Sequence, residues 1–145
     1  MGGQLKRMIV GAAPLSTKTH EAISAIFNVT LQVGYGLTET CASATCMDQD
    51  EKKTGHTGGP NLSVLLKLED WMEGGYLVSD KPNPRGEIIV GGPSVAKGYY
   101  KQSKEVNSDF FEEHGQRWFR TGDIGEINSE GCLKIIDRKK GLVKL

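Results

Sequence analysis

Residues 8–33 constrain the fold more than any other stretch. Two short apolar runs, MIV at 8–10 and VTLQV at 29–33, flank a segment with helical periodicity. In that segment, TKTHEAISAIF, Ile23, Ile26 and Phe27 fall at i, i+3 and i+4 and share one helix face. Ser16 or Thr17 stands where a side-chain oxygen caps the first turn. A strand, a helix and a second strand at this spacing read as a βαβ-like unit. Such units present ligands at the C-terminal ends of their strands.

After about residue 54 the texture changes. Glycine and proline become frequent and the apolar runs shorten. LSVLLKLED, GEIIVGG, RWFRTGDIGEI and GCLKIIDR read as strands, with NSEG at 128–131 as a hairpin connection between the last two. The expected fold class is therefore α/β followed by a β-rich part, a small barrel or meander.

Composition narrows the function classes. Of 145 residues, 37% are hydrophobic and 25% charged, an ordinary balance for a soluble domain. Lys plus Arg equals Asp plus Glu at 18 each, which argues against a nucleic-acid partner held by a large basic surface. Cys41, Cys46 and Cys132 form no CxxC pair and are odd in number, so free thiols are expected rather than disulfides or a zinc site.

Four stretches carry candidate chemistry. In VGYGLTETCASAT, a strand ends on glycines that let a ligand approach backbone N–H groups. Tyr35 then offers a flat face to a purine, Thr38 a hydroxyl to a phosphate oxygen, and Glu39 a hard carboxylate suited to Mg²⁺ shared with phosphates. A plain turn, with Thr38 capping a following helix, fits the same residues equally well. VGAAPLS, at 10–16, is a small-residue turn that lets a planar ligand lie on backbone, or simply packs closely before a helix. In WFRTGD, Asp123 follows a glycine and can accept from a ribose diol, or serve a β-turn. In IIDRKKGLVK, Arg138 and Lys140 can approach phosphate or ribose oxygens, or belong to a solvated charge run.

Taken together the motifs are far more specific. GYGLTET, GEI at 86–88, RTGD and DRKK follow one another in the order found in adenylate-forming enzymes, and the chain resembles that family over essentially its whole length. Longer stretches, including WMEGGYLVSDKPNPRGEIIVGG and GCLKIIDRKKGLVKL, are similar to the long-chain fatty acid–CoA ligases. The resemblance implies the end of a large adenylate-forming domain, a βαβ unit plus a small distorted β-barrel. Residues 1–54 would close the α/β nucleotide-binding subdomain, 55–136 form the β-barrel-like subdomain, and 137–145 form the hinge and the start of a C-terminal domain.

By the same resemblance Tyr35 would stack on adenine, flanked by Gly34 and Gly36, while Gly11, Ala12 and Ala13 form the small-residue wall beside it. Thr38 would contact the α-phosphate and Glu39 would hold Mg²⁺, the pair forming the catalytic set. Asp123 would hold the ribose hydroxyls, Asp137 would be the hinge, and Arg138, Lys140 and Lys144 would face the nucleotide. The implied partners are a long-chain fatty acid, ATP, Mg²⁺ and CoA as co-substrate. The implied reaction passes through an acyl-adenylate to an acyl-CoA. The implied location is the cytoplasmic face of the endoplasmic reticulum, mitochondrial outer membrane, peroxisome or lipid droplet, with membrane association resting on the resemblance alone. Nothing in the sequence speaks to oligomeric state.

Departures shape the expectation. The family's phosphate loop and its C-terminal domain with the adenylation lysine are not among these residues, so the chain is expected to be a segment incompetent for the full reaction. Gly141 stands where the family usually has Asp, and VGAAP where GGAP is commoner. Ligation of a different carboxylic acid, or a non-catalytic nucleotide-binding remnant, are the competing readings.

Overall fold

A computed structural model describes residues 3–142. The expected opening unit is present. Strand β1 (Arg7–Val10) pairs in parallel with β2 (Thr30–Leu37), and helix α1 (Thr17–Phe27) makes the crossover. Ser16 is the cap: its Oγ accepts from Thr19 N at 3.1 Å. Asn28, in the left-handed region at φ 49°, ends the helix, as short polar side chains there commonly do. The face foreseen for α1 is only partly covered. Ile26 is 75% exposed and Phe27 44%, and the residue buried on the helix is His20. Among the described residues β1 is the edge strand of its sheet, with no further strand paired outside it.

β2 runs straight through the glycines rather than ending on them. It turns at a single 3₁₀ turn (Thr38–Thr40) into antiparallel β3 (Ala42–Cys46), which pairs in turn with the two-residue β4 (Gly59–Pro60). No helix follows Thr38, so it caps none. β3 carries one extra residue: Tyr35 faces Thr45 and Gly36 faces Ser43, leaving a bulge at Ala44. Glycine is required at 36, where a Cβ would fall 1.7 Å from the Ala42 carbonyl oxygen.

The β-rich part is a five-stranded antiparallel sheet. It comprises β5 (Leu65–Glu69), β6 (Arg85–Gly91), β7 (Phe110–Glu113), β8 (Gln116–Ile127) and β9 (Leu133–Arg138). The order is β5-β6-β8-β7, and β9 also pairs with β8, whose 12 residues accommodate β7 near the start and β9 near the end. The foreseen hairpin at 128–131 joins β8 to β9. A four-residue helix, α2 (Lys139–Leu142), follows directly.

Apolar side chains from both sheets form one core: Ala44 of β3 meets Ile88, Val90, Phe119 and Leu133. Backbone bonds stitch the sheets together, Thr57 N to Leu133 O at 2.7 Å and Leu133 N to Gly58 O at 2.8 Å. Thr45, fully buried, shares a 2.8 Å hydroxyl contact with Thr57, so these two buried hydroxyls satisfy each other. This seam brings Tyr35 of β2 against Asp123, within β8, and Asp123 against Arg138 at the end of β9. Among the described residues no helix is long and apolar enough to cross a membrane.

Candidate functional site

A cleft of about 690 Å³ opens at the C-terminal ends of β1 and β2. One wall is backbone: Gly11 and Ala12 after β1, then Gly34 and Gly36 of β2. Small residues let a flat ligand lie close against such a wall. Ala12 holds φ 69°, a left-handed conformation uncommon for a residue with a side chain. Tyr35, Thr38, Glu39 and Arg138 complete the rim, and Cys46 lies across from Gly34.

Asp123 lies beneath this rim, 2% exposed. Its Oδ2 accepts from the Tyr35 hydroxyl at 2.7 Å, and its Oδ1 pairs with Arg138 Nε at 2.8 Å. Asp123 itself does not line the cleft; it is joined to it through Tyr35 and Arg138, which do. Burial, reinforced by the Asp123 charge, pushes the Tyr35 phenol far above its ordinary range. Tyr35 is therefore a fixed hydrogen-bond donor with a planar ring at the cleft.

The loop geometry explains how β8 delivers Asp123. Thr121, Gly122 and Asp123 together face the single residue Ile88 of β6, since Glu87 pairs with Ile124 and Ile89 with Arg120. Gly122 takes φ 70° to make this bulge. Thr121 Oγ1 donates to Ile88 O at 2.8 Å and accepts from Asp123 N at 3.0 Å. Glu87, a buried carboxylate of β6, accepts from Gly122 N at 3.1 Å through Oε1 and from Lys139 Nζ at 2.6 Å through Oε2.

Glu39 is held twice. Its backbone carbonyl accepts from Ala96 N at 2.8 Å, and its Oε1 accepts from the Tyr99 hydroxyl. Donating to this carboxylate is the main reason the Tyr99 phenol is pushed up to about 12. The Tyr99 ring packs edge-on against Phe110, centroids 5.3 Å apart. Glu39 also lines the cleft. A lone carboxylate suits Mg²⁺, which keeps several waters and shares phosphate oxygens rather than needing a protein cage. Among the described residues no cluster of three His, Cys, Asp or Glu offers such a cage.

The structure thus gathers Gly11, Ala12, Gly34, Tyr35, Gly36, Thr38, Glu39, Asp123 and Arg138 in one place. Ala13 follows the wall without lining the cleft. Asp137 is exposed and its Oδ1 accepts from Arg138 N at 2.7 Å. Lys140 borders a different groove of about 430 Å³, with Trp71, Met72, Glu73 and Lys139. Lys144 lies outside the described residues. Sequence reasoning assigned nothing to Glu87, Tyr99, Thr121 or Lys139. For Glu87 a signal exists, a carboxylate at the head of the apolar run of β6; for the others nothing local points to the site.

Comparison with known proteins fits this arrangement. The family profile described as AMP-binding enzyme matches residues 1–100. The chain belongs to the AMP-binding enzyme family. It is 47% identical over 146 residues to long chain acyl-CoA synthetase 8 of Arabidopsis thaliana, covering all of this chain and 20% of that relative's length. Among solved structures it is similar to the adenylation domain of a carboxylic acid reductase from Segniliparus rugosus, in complex with AMP and a co-purified carboxylic acid. The TM-score there is 0.77 at 32% identity, over 99% of this chain and 21% of the other. It is also similar to the O-succinylbenzoate coenzyme A synthetase of Bacillus subtilis, in complex with ATP and magnesium. There the TM-score is 0.73 at 28% identity, over 93% of this chain and 27% of the other.

Proposed function

We propose that this chain is the adenine-nucleotide-binding segment of an enzyme that activates a long-chain fatty acid, first to an acyl-adenylate and then to an acyl-CoA. The observation that carries the reading is the convergence of Tyr35, Asp123 and Arg138 beside a wall of Gly11, Ala12 and Gly34. The likeness to long chain acyl-CoA synthetase 8 supports the choice of acid and of CoA as acceptor. The AMP and ATP held by the two structural neighbours support the nucleotide. The chain spans a fifth of its plant relative, so these activities are proposed for the enzyme of which this sequence forms a segment.

In this reading the adenine ring lies on Tyr35 against the backbone wall, and the ribose hydroxyls donate to Asp123. Arg138 is paired with Asp123 and adds positive charge near the phosphates. The fatty carboxylate attacks the α-phosphorus and pyrophosphate leaves; the CoA thiol then displaces AMP and forms the thioester. Thr38 donates to an α-phosphate oxygen, and these side chains act by positioning and by electrostatic stabilisation. Glu39 would hold Mg²⁺, which would supply charge neutralisation on the phosphates. No step needs a covalent nucleophile, which leaves the three cysteines without a role.

Titration calorimetry with AMP tests the nucleotide reading, and pyrophosphate release with oleate or arachidonate tests turnover. The expected result is AMP binding without robust turnover by these 145 residues. Absence of AMP binding overturns the nucleotide reading; robust turnover overturns the expectation of a segment. Pyrophosphate release with an aromatic acid in preference to oleate, by the longer enzyme, overturns the choice of acid.

A further inference from the structure

Glu87 is a buried titratable group that the proposed reaction leaves unused. A carboxylate taken out of water is costly unless its oxygens are matched. Both Glu87 oxygens are matched, and the two partners lie on opposite flanks of the nucleotide cluster. Gly122, donating to Oε1, is the left-handed residue immediately before Asp123. Lys139, bound to Oε2, is the residue immediately after Arg138. Two consecutive cations therefore grip two carboxylates on adjacent strands: Arg138 grips Asp123 of β8, and Lys139 grips Glu87 of β6. Lys139 is also placed by the indole of Trp71, its Nζ 5.7 Å from the ring centroid. Arg138 by itself is 71% exposed in its side chain, so its aim depends on where the backbone at 138–139 is fixed.

We propose that Glu87 and Lys139 are positioning residues for the Tyr35–Asp123–Arg138 cluster, their ion pair setting the place at which Arg138 meets Asp123. Neither touches the nucleotide; each acts through a neighbour, Glu87 through the Gly122 bulge and Lys139 through Arg138. The pair ties the first residue of α2 to the strand that shapes the ribose seat. Its relevance to nucleotide affinity rests on the functional reading above, whereas its effect on the cluster does not.

The test uses two readouts on the chain. Calorimetry gives AMP affinity. Carbon-13 NMR of labelled tyrosine, in the absence of nucleotide, follows Tyr35, whose signal is identified by its loss in Tyr35→Phe. Lys139→Met is the main variant because Lys139 lies at the surface end of the pair and its replacement keeps the apolar stem. The expected outcome is about fivefold weaker AMP binding, the size of effect usual for coupled neighbours, with a displaced Tyr35 signal. Lys139→Arg retains the charge and is expected to restore both. Lys67→Met is the control, since it breaks an ion pair with Glu113 on the same sheet, away from the cleft; it should move neither readout. A Tyr35 signal unmoved by Lys139→Met, or moved equally by Lys67→Met, overturns the inference. So does unchanged AMP affinity in Lys139→Met when the native chain binds AMP. If the native chain binds no AMP while the Tyr35 signal still answers to Lys139, the functional reading falls and the positioning role stands.

Discussion

Tyr35 and Asp123, 88 positions apart, are joined by a 2.7 Å hydrogen bond at the junction of the two sheets. The contact joins an aromatic ring that lines the cleft to a buried carboxylate that does not. Asp123→Ala removes the acceptor from a buried site and leaves the Tyr35 hydroxyl without its partner. Stability is expected to fall by about 1–3 kcal/mol, the usual result of orphaning a buried polar group. AMP affinity is expected to fall at least about tenfold, the loss of a charged hydrogen-bond acceptor. Urea denaturation and calorimetry read the two effects separately. Equal AMP affinities for the variant and the native chain would remove Asp123 from the ribose seat.

The raised Tyr35 phenol predicts a pH dependence. Because its folded-state pKa is raised above the unfolded value, its contribution to stability is fully present below about pH 10, the ordinary phenol range. That contribution is lost as pH climbs beyond it, when the unfolded chain releases a proton that the folded chain retains. Denaturation midpoints should therefore decline above about pH 10, and Tyr35→Phe should shallow the decline. Spectrophotometric titration of tyrosinate should show the last part of the absorbance rise disappearing in Tyr35→Phe. A rise identical in both chains would place Tyr35 in water.

Much of the opening unit was legible because its signals are local. A strand, a capped amphipathic helix and a second strand each declare themselves within a few residues, and β1, α1 and β2 followed. β3 did not declare itself. CASATC carries small residues with no apolar alternation, because β3 lies where Ala44 and Thr45 must fit into the seam between the sheets. The glycines at 34 and 36 look like a turn in the sequence. They form a strand because the bulged partner passes so close to Gly36 that no side chain fits. In DRKK the lysines look alike. Which of them turns inward depends on β9 ending at Arg138 and α2 beginning at Lys139, and on Glu87, 52 positions away. Glu39 and Tyr99, 60 positions apart, meet for the same reason: the segment after β6 folds back over the 3₁₀ turn.

Gly36→Ala probes that close approach directly. The added methyl would fall 1.7 Å from the Ala42 carbonyl oxygen, and the obstruction is backbone rather than a side chain able to swing away. The β2–β3 pairing must open to admit it, and Tyr35 is the neighbouring residue. A loss of about 3 kcal/mol or more is expected, in the range of severe overpacking, together with loss of AMP binding. Gly115→Ala is the comparison, at a left-handed glycine with nothing within 4 Å of the added atom; there only the cost of the backbone conformation applies, about 1 kcal/mol. Thermal or urea midpoints that rank the two variants the other way would contradict the bulge geometry.

The Glu39–Tyr99 contact yields a prediction specific to the metal. Tyr99→Phe keeps the ring and its edge-on packing against Phe110 but removes the hydroxyl that Glu39 accepts from. The fold should hardly notice, with a stability change within about 1 kcal/mol, the net worth of one exposed-side hydrogen bond. Glu39 would keep its backbone bond from Ala96 and lose only the orientation of its carboxylate. On the proposed reading Mg²⁺ would contribute to ATP binding through that carboxylate and would have no comparable part in AMP binding. Tyr99→Phe should therefore weaken ATP binding in magnesium buffer by about fivefold, within the range of coupled neighbours, and leave AMP binding unchanged. With EDTA present the native chain and the variant should bind ATP equally. A defect that persists in EDTA, or that appears equally for AMP, would mean that Tyr99 acts on the cleft as a whole rather than on Glu39.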